Sequence, residues 1–177
     1  MINLTVSKVP HVLVLAFTLL IMGCGEKQAI SGRIPTTVFK TFSGESFTLS
    51  AEDKEVTLLV FWATWCQPCV EEFPELVRIR RGYADSVLEM VCISVDYPDE
   101  AESKVLPFLH DHRVTFPVFI ADMTKQDEFI NAIEPSWSGA VPATFIFDAG
   151  GRRRAFLLGR RTFESFKAHV DSAFVAR

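Results

Sequence analysis

Apolar and polar positions alternate along this chain in blocks whose period changes from strand-like to helix-like and back. The segment "VTLLVFW" (56–62) is continuously apolar, as expected of a parallel strand covered on both faces. A second such run, "VLEMVCISV" (87–95), predicts another buried strand. Between them Val70, Phe73, Leu76, Val77 and Ile79 recur at helical spacing, which predicts a helix over 67–81. Helical patterns also cover about 100–113 and 124–133, with a short strand "FPVFIA" between them. Two hairpins are expected. "TTVFKTFSGESFTLS" has two short strands around Ser43-Gly44, and "ATFIFD" and "RRAFLLG" flank Ala149-Gly150-Gly151. A last helix, 162–175, sets Phe163, Phe166, Val170 and Phe174 along one side. Alternating strands and helices with a closing hairpin predict an α/β domain with a central mixed sheet.

The first 23 residues follow a different pattern. They hold one cation, Lys8, no acid, and an apolar run from Val12 to Met22. Eleven residues are too few to span a bilayer, which needs roughly twenty, but they suit the core of a secretory signal. The run ends in Ile21-Met22-Gly23-Cys24, which resembles the bacterial lipobox. This predicts a signal peptide over 1–23, a lipid-bearing Cys24 at the outer side of a bacterial membrane, and a polar tether over 24–35. The folded domain then covers 36–177.

Composition adds little beyond this frame. Hydrophobic residues make up 49% of the 177 residues, charged residues 23%, and the net charge is −4, which argues against a nucleic-acid partner. Sixteen phenylalanines promise an aromatic core. With Cys24 assigned to lipid, Cys66, Cys69 and Cys92 remain, so at most one internal pair can form.

That pair lies in "WATWCQPC" (62–69), directly after the first buried strand. It can be half a zinc site, a structural disulfide or a redox couple. Zinc needs four ligands; there is no second pair, His110 and His112 read as solvated helix residues and His169 falls in the last helix, so no metal is expected. The redox reading has a physical basis. Cys66 stands where strand gives way to helix, so an accessible sulfur faces the helix's unsatisfied N–H groups and positive end. Such a place lowers a thiol pKa from about 8.5 towards or below neutrality. Pro68 is tolerated in a first helical turn, and Cys69 stands one turn on, where it can attack a mixed disulfide at Cys66. Pro74 should bend the helix. Cys92, inside a buried strand, reads as an inert apolar filler, and Trp62 as core. Trp137 and Phe145 read equally as core or as groove lining. The arginines at 152–154, 160 and 161 read as charges that keep a sheet edge from pairing.

"VFWATWCQPC", Pro74 and "AVPATFIFDAGGRRRAFLLG" together resemble the thioredoxin superfamily. The fit is closest to its membrane-tethered, extracytoplasmic TlpA/ResA type, over roughly residues 36–175. The resemblance implies a thioredoxin-like fold with an N-terminal hairpin and an extra strand and helix inserted before Val141-Pro142. It implies a cis Pro142 beside the cysteines, with the Val141 backbone open to a substrate strand, and a bend at Gly159. Thioredoxin has a buried aspartate where this chain has Val60. In the TlpA/ResA type a glutamate three residues after the second cysteine is implicated instead, which is Glu72 here. Burial would raise its carboxyl towards neutrality and make it a usable base. Trp65, Gln67, Pro68 and Val141 are then candidate substrate contacts.

The implied function is a monomeric thiol–disulfide oxidoreductase on the periplasmic side, without cofactor. It would act on protein thiols and disulfides in the reducing direction, fed by a membrane-embedded electron donor, with targets such as apocytochrome c. Four alternatives are weighed against it. One is an oxidant of the same fold, since the Gln67-Pro68 dipeptide leaves direction open. A peroxidase would want a threonine where Ala63 stands. A copper chaperone would want wider cysteine spacing and a distal histidine. The last is a binding protein with a purely structural disulfide.

Overall fold

The computed structural model describes residues 32–49 and 54–175. The expected signal peptide, Cys24 and most of the tether lie outside the described residues. Gly32–Ile34, at the end of the stretch read as tether, are paired with the rest of the fold. Arg33 bridges Arg152, and the Ile34 N–H donates to the Gly151 carbonyl at 2.8 Å.

A seven-stranded mixed sheet forms the centre, in the order β2-β1-β5-β4-β3-β6-β7. The hairpin β1 (Val38–Lys40) and β2 (Ser46–Thr48) turns at Gly44, whose φ of +86 a side chain would oppose. β3 (Val56–Trp62) is buried at every position and runs parallel to β4 (Leu88–Ser94) and antiparallel to β6 (Ala143–Asp148). β5 (Val118–Ile120) extends the parallel part, and β7 (Arg153–Leu158) closes the far edge.

Each strand shows opposite residues to two layers. Val56, Leu58, Val60 and Trp62 face α1 (Gln67–Gly82) and α4 (Phe163–Val175), whereas Leu59 and Phe61 join the layer under α3 (Gln126–Ile133). The helical stretch expected at 100–113 is not one helix. A 3₁₀ turn (Pro98–Glu100) and a wide π turn (Ala101–Val105) precede the short α2 (Leu106–Asp111). Pro107 has no N–H for the Ser103 carbonyl, so a regular turn cannot form there.

Two expectations about packing need correction. On α4 the buried positions are Phe166, Val170 and Ala173, while Phe174 is 40% exposed. Spacing by four and then three follows the 3.6-residue turn more closely than two steps of four. His112 is not simply solvated: its ring stacks on Phe108 with centroids 3.9 Å apart, beside Trp62 and Phe73. Trp137 and Phe145, read equally as groove or core, are core, 3% and 1% exposed.

Candidate active site

β3 delivers the cysteine pair to one end of the sheet because the chain leaves the strand at Trp62 and enters α1 at Gln67. The intervening turn is fastened from below by a buried carboxylate. Asp96, just past β4, accepts from the Thr64 N–H (3.0 Å) and hydroxyl (2.5 Å) and from the Ser94 hydroxyl (2.6 Å). It is fully buried, and these three hydrogen bonds satisfy its oxygens. Neither Thr64 nor Asp96 stood out in the sequence; only "SVD" closing a buried strand could have flagged them.

Cys66 caps α1. It is joined to Cys69 in a disulfide, with Cα atoms 5.2 Å apart, and its sulfur accepts the Cys69 N–H at 3.3 Å. One helix N–H, that of Cys69, therefore does aim at the first sulfur. That sulfur is more enclosed than expected: Cys66 keeps 6% of its surface and Cys69 1%. Pro68 occupies the first turn and Pro74 lies inside the helix. Trp65 stands out at 62% exposed, and Gln67 donates along α1 to Glu71 at 3.1 Å.

The Val141–Pro142 bond is cis, and the Val141 carbonyl oxygen lies 3.6 Å from the Cys66 sulfur, a contact across the site. This loop is held from behind, where the Trp137 indole donates to the Ala140 carbonyl at 2.9 Å. Beyond Trp65 a groove of about 590 Å³ runs between Val95, Tyr97, Asp122, Met123 and Gly139.

Glu72 lies on the buried side of α1 with Cys69 and Phe73, 1% exposed. Burial pushes its carboxyl up from 4.5 to about 7, against the pull of the Arg161 amide and the Arg161 and Arg160 charges. Cys92 sits across from Val60 on β4, fully buried; burial, then the nearby Glu72 charge, push its thiol well up, so it stays a neutral filler. The site therefore gathers two bonded sulfurs, the Cys69 N–H, the Val141 carbonyl and a carboxyl raised to near neutrality. That set can exchange disulfides and move the accompanying proton.

Arg160 and Arg161 were read as edge charges, and the structure corrects this. Arg160 pairs with Glu71, and the Arg161 backbone N–H donates to Glu72 at 2.5 Å. No pattern of side chains signals a backbone donor 89 residues away; Gly159 was the nearest hint. The remaining arginines are tied within their own hairpin and beyond: Arg152 and Arg154 to Asp148, and Arg153 to Glu134.

Comparison with known proteins agrees with this geometry. The AhpC/TSA family matches residues 30–155. The thioredoxin-like protein YneN of Bacillus subtilis is 31% identical over 137 residues, 77% of this chain and 76% of that one. The thiol-disulfide oxidoreductase ResA of Geobacillus thermodenitrificans is 28% identical over 144 residues, 81% of this chain and 78% of that one. Among solved structures, a thiol:disulfide interchange protein of the thioredoxin family from Chlorobium tepidum superposes with a TM-score of 0.67 at 24% identity. It covers 81% of this chain and 97% of its own, which shows the thioredoxin-like fold.

Proposed function

The chain belongs to the AhpC/TSA family, and we propose how a thiol–disulfide oxidoreductase of that family works with these residues. Its substrates are protein thiols and disulfides. In the reduced enzyme Cys66 attacks a substrate disulfide as a thiolate, stabilised by the N–H groups at the head of α1. A mixed disulfide forms at Cys66, and one substrate sulfur leaves as a thiolate. The Cys69 thiol then passes its proton to Glu72 and attacks the Cys66 sulfur. The second substrate sulfur leaves, and the Cys66–Cys69 disulfide remains. Two electrons have moved from enzyme to substrate. In the mixed disulfide Cys66 carries no charge, so a Glu72 midpoint near 7 suits a base at neutral pH.

One observation carries this reading: the bonded pair caps α1 with its first sulfur accepting a helix N–H beside the Val141 carbonyl. A substrate strand is proposed to pair with the backbone at Val141, next to Pro142, with Trp65, Gln67 and Pro68 shaping the surface it meets. We assign the flow as reducing, from a membrane-embedded donor through this monomeric domain to targets such as apocytochromes. We also assign a lipid anchor at Cys24, following a signal peptide over 1–23, on the periplasmic side of the membrane. The lipobox-like "IMGC" and the likeness to ResA support that placement.

The test is a trap. Cys69→Ser should accumulate mixed disulfides through Cys66 with protein partners; complete absence of such species in cells would defeat the exchange mechanism. The reduction potential of the couple decides direction: a value near −270 mV, as in thioredoxin, marks a reductant, and one near −120 mV an oxidant. Cys24→Ser should release the protein into the soluble fraction, and continued membrane association would remove the lipid assignment.

A further inference from the structure

The turn between β7 and α4 touches both halves of the site at once. Gly159, at φ +83, swings the chain off β7, and its N–H donates to the Pro142 carbonyl at 2.8 Å. Two residues on, the Arg161 N–H donates to the Glu72 carboxylate. Arg160 meanwhile pairs with Glu71, and the Arg161 guanidinium donates back to the Leu158 carbonyl at 2.8 Å. Thus both acids of "CVEEFP" are gripped by consecutive residues of one turn, and the same turn braces the Pro142 loop. A side chain buried to 1% exposure has few ways to satisfy a charge, and here a backbone amide points at it.

We propose that the Gly159–Arg161 turn is the positioning element of Glu72: the Arg161 amide fixes where the carboxylate sits and how readily it carries charge. Gly159 holds that carboxylate in a set relation to the Pro142 loop where the substrate docks. The inference deepens the reading of Glu72 as proton acceptor and rests on it for its catalytic consequence. The charges facing Glu72 act in two directions. From the turn, the Arg161 amide and the Arg160 and Arg161 guanidiniums favour the carboxylate; Cys92 from β4, if ionised, would disfavour it. On its own helix, neighbouring Glu71 has its charge engaged by Arg160, and Cys66 and Cys69 are neutral while bonded.

The backbone donor can be deleted without touching Glu72. Arg161→Pro removes the N–H, whereas Arg161→Ala keeps it and removes only the guanidinium. In the oxidised full chain the Glu72 carboxyl is titrated by carbon NMR, its resonance assigned by its loss in Glu72→Gln. Arg161→Pro should raise the midpoint above 7 by about one pH unit, a tenfold change in the ionised-to-neutral ratio. Arg161→Ala should raise it by less. An unchanged midpoint in Arg161→Pro overturns the proposal. Should that variant not fold, an amide-to-ester replacement at position 161, which removes the N–H without a proline ring, must raise the midpoint, and no change there overturns the proposal equally. The resolution rate of the mixed disulfide separates the two readings. A midpoint that moves while the pH–rate profile stays put retires Glu72 as acceptor and leaves its positioning intact. Arg161→Pro must also leave the profile unaltered in a Glu72→Gln background; an effect without the carboxylate overturns the assignment.

Discussion

The two faces of the sheet are built from alternate residues of the same strands, yet they are built differently. Under α3 the layer is a mesh of rings. Phe61 alone lies against Phe39, Phe129, Trp137 and Phe145, with centroids 4.7–6.5 Å apart. Under α1 and α4 the layer is as tightly buried but includes the three thiol-bearing positions and the Glu72 carboxyl. One face maximises apolar burial; the other gives some of it up to keep a titrating group beside a reactive sulfur. Stability and chemistry are thereby assigned to opposite sides of strands one residue apart in register.

The largest expected effect breaks the chemical face alone. Cys66→Ala removes the attacking sulfur, so exchange with a protein disulfide should fall at least a thousandfold in an insulin-type reduction assay. Circular dichroism should still report a folded chain, because the packing under α3 is untouched. Retention of more than a tenth of the activity would mean that another thiol attacks.

Phe61→Ala is the converse. Truncating a fully buried ring should cost about 3–5 kcal/mol in denaturant unfolding. Where the variant remains folded, the pH dependence of exchange should keep the parent's midpoint. A moved midpoint would show that the two faces are coupled through β3 and not independent.

Glu72→Gln sharpens the contrast, since it should weaken function and raise stability. A carboxyl that titrates at 4.5 unfolded and about 7 folded binds more protons in the folded state between those values. Its contribution is therefore intact below pH 4.5 and lost as pH rises through 7. By pH 8 the parent should have lost on the order of 3 kcal/mol that the glutamine variant keeps. Denaturant midpoints of both proteins at pH 5 and pH 8 measure this, and a constant difference across that range contradicts it. Resolution of the mixed disulfide should slow by about a hundredfold.

These contrasts also mark what the chain discloses about itself. Continuous apolar runs at 56–62 and 87–95, and glycines at the turns, are local signals, so strands, hairpins and the cysteine-bearing helix could be read directly. "CxxC" after a buried strand is equally local. Whether Trp137 and Phe145 are core or groove lining is not, because it depends on α3 folding over them. Asp96 under Thr64 and the Arg161 amide on Glu72 are likewise meetings of distant segments, 32 and 89 residues apart. Backbone donors leave no mark on composition or spacing. The broken helix at 98–111 had a local cause, Pro107, whose missing N–H outweighs the periodic pattern around it.

The smallest effect belongs to neither face. Trp65 stands 62% exposed beside the first cysteine, so its ring contributes little to folding. Trp65→Ala should change unfolding free energy by less than about 0.5 kcal/mol, the usual range for a surface position. Its place at the mouth of the groove with Tyr97, itself 69% exposed, gives it another role. Two aromatic rings left in water along one groove, Trp65 adjoining the reactive disulfide and Tyr97 further along, are suited to cover the segment that carries a substrate's cysteine. KM for a protein disulfide should therefore rise several-fold, while kcat/KM for a small aromatic disulfide, too short to reach Tyr97, should hardly change. If both substrates lose rate equally, the indole acts on the sulfur itself and not on the docked chain, and the groove is not where specificity is set.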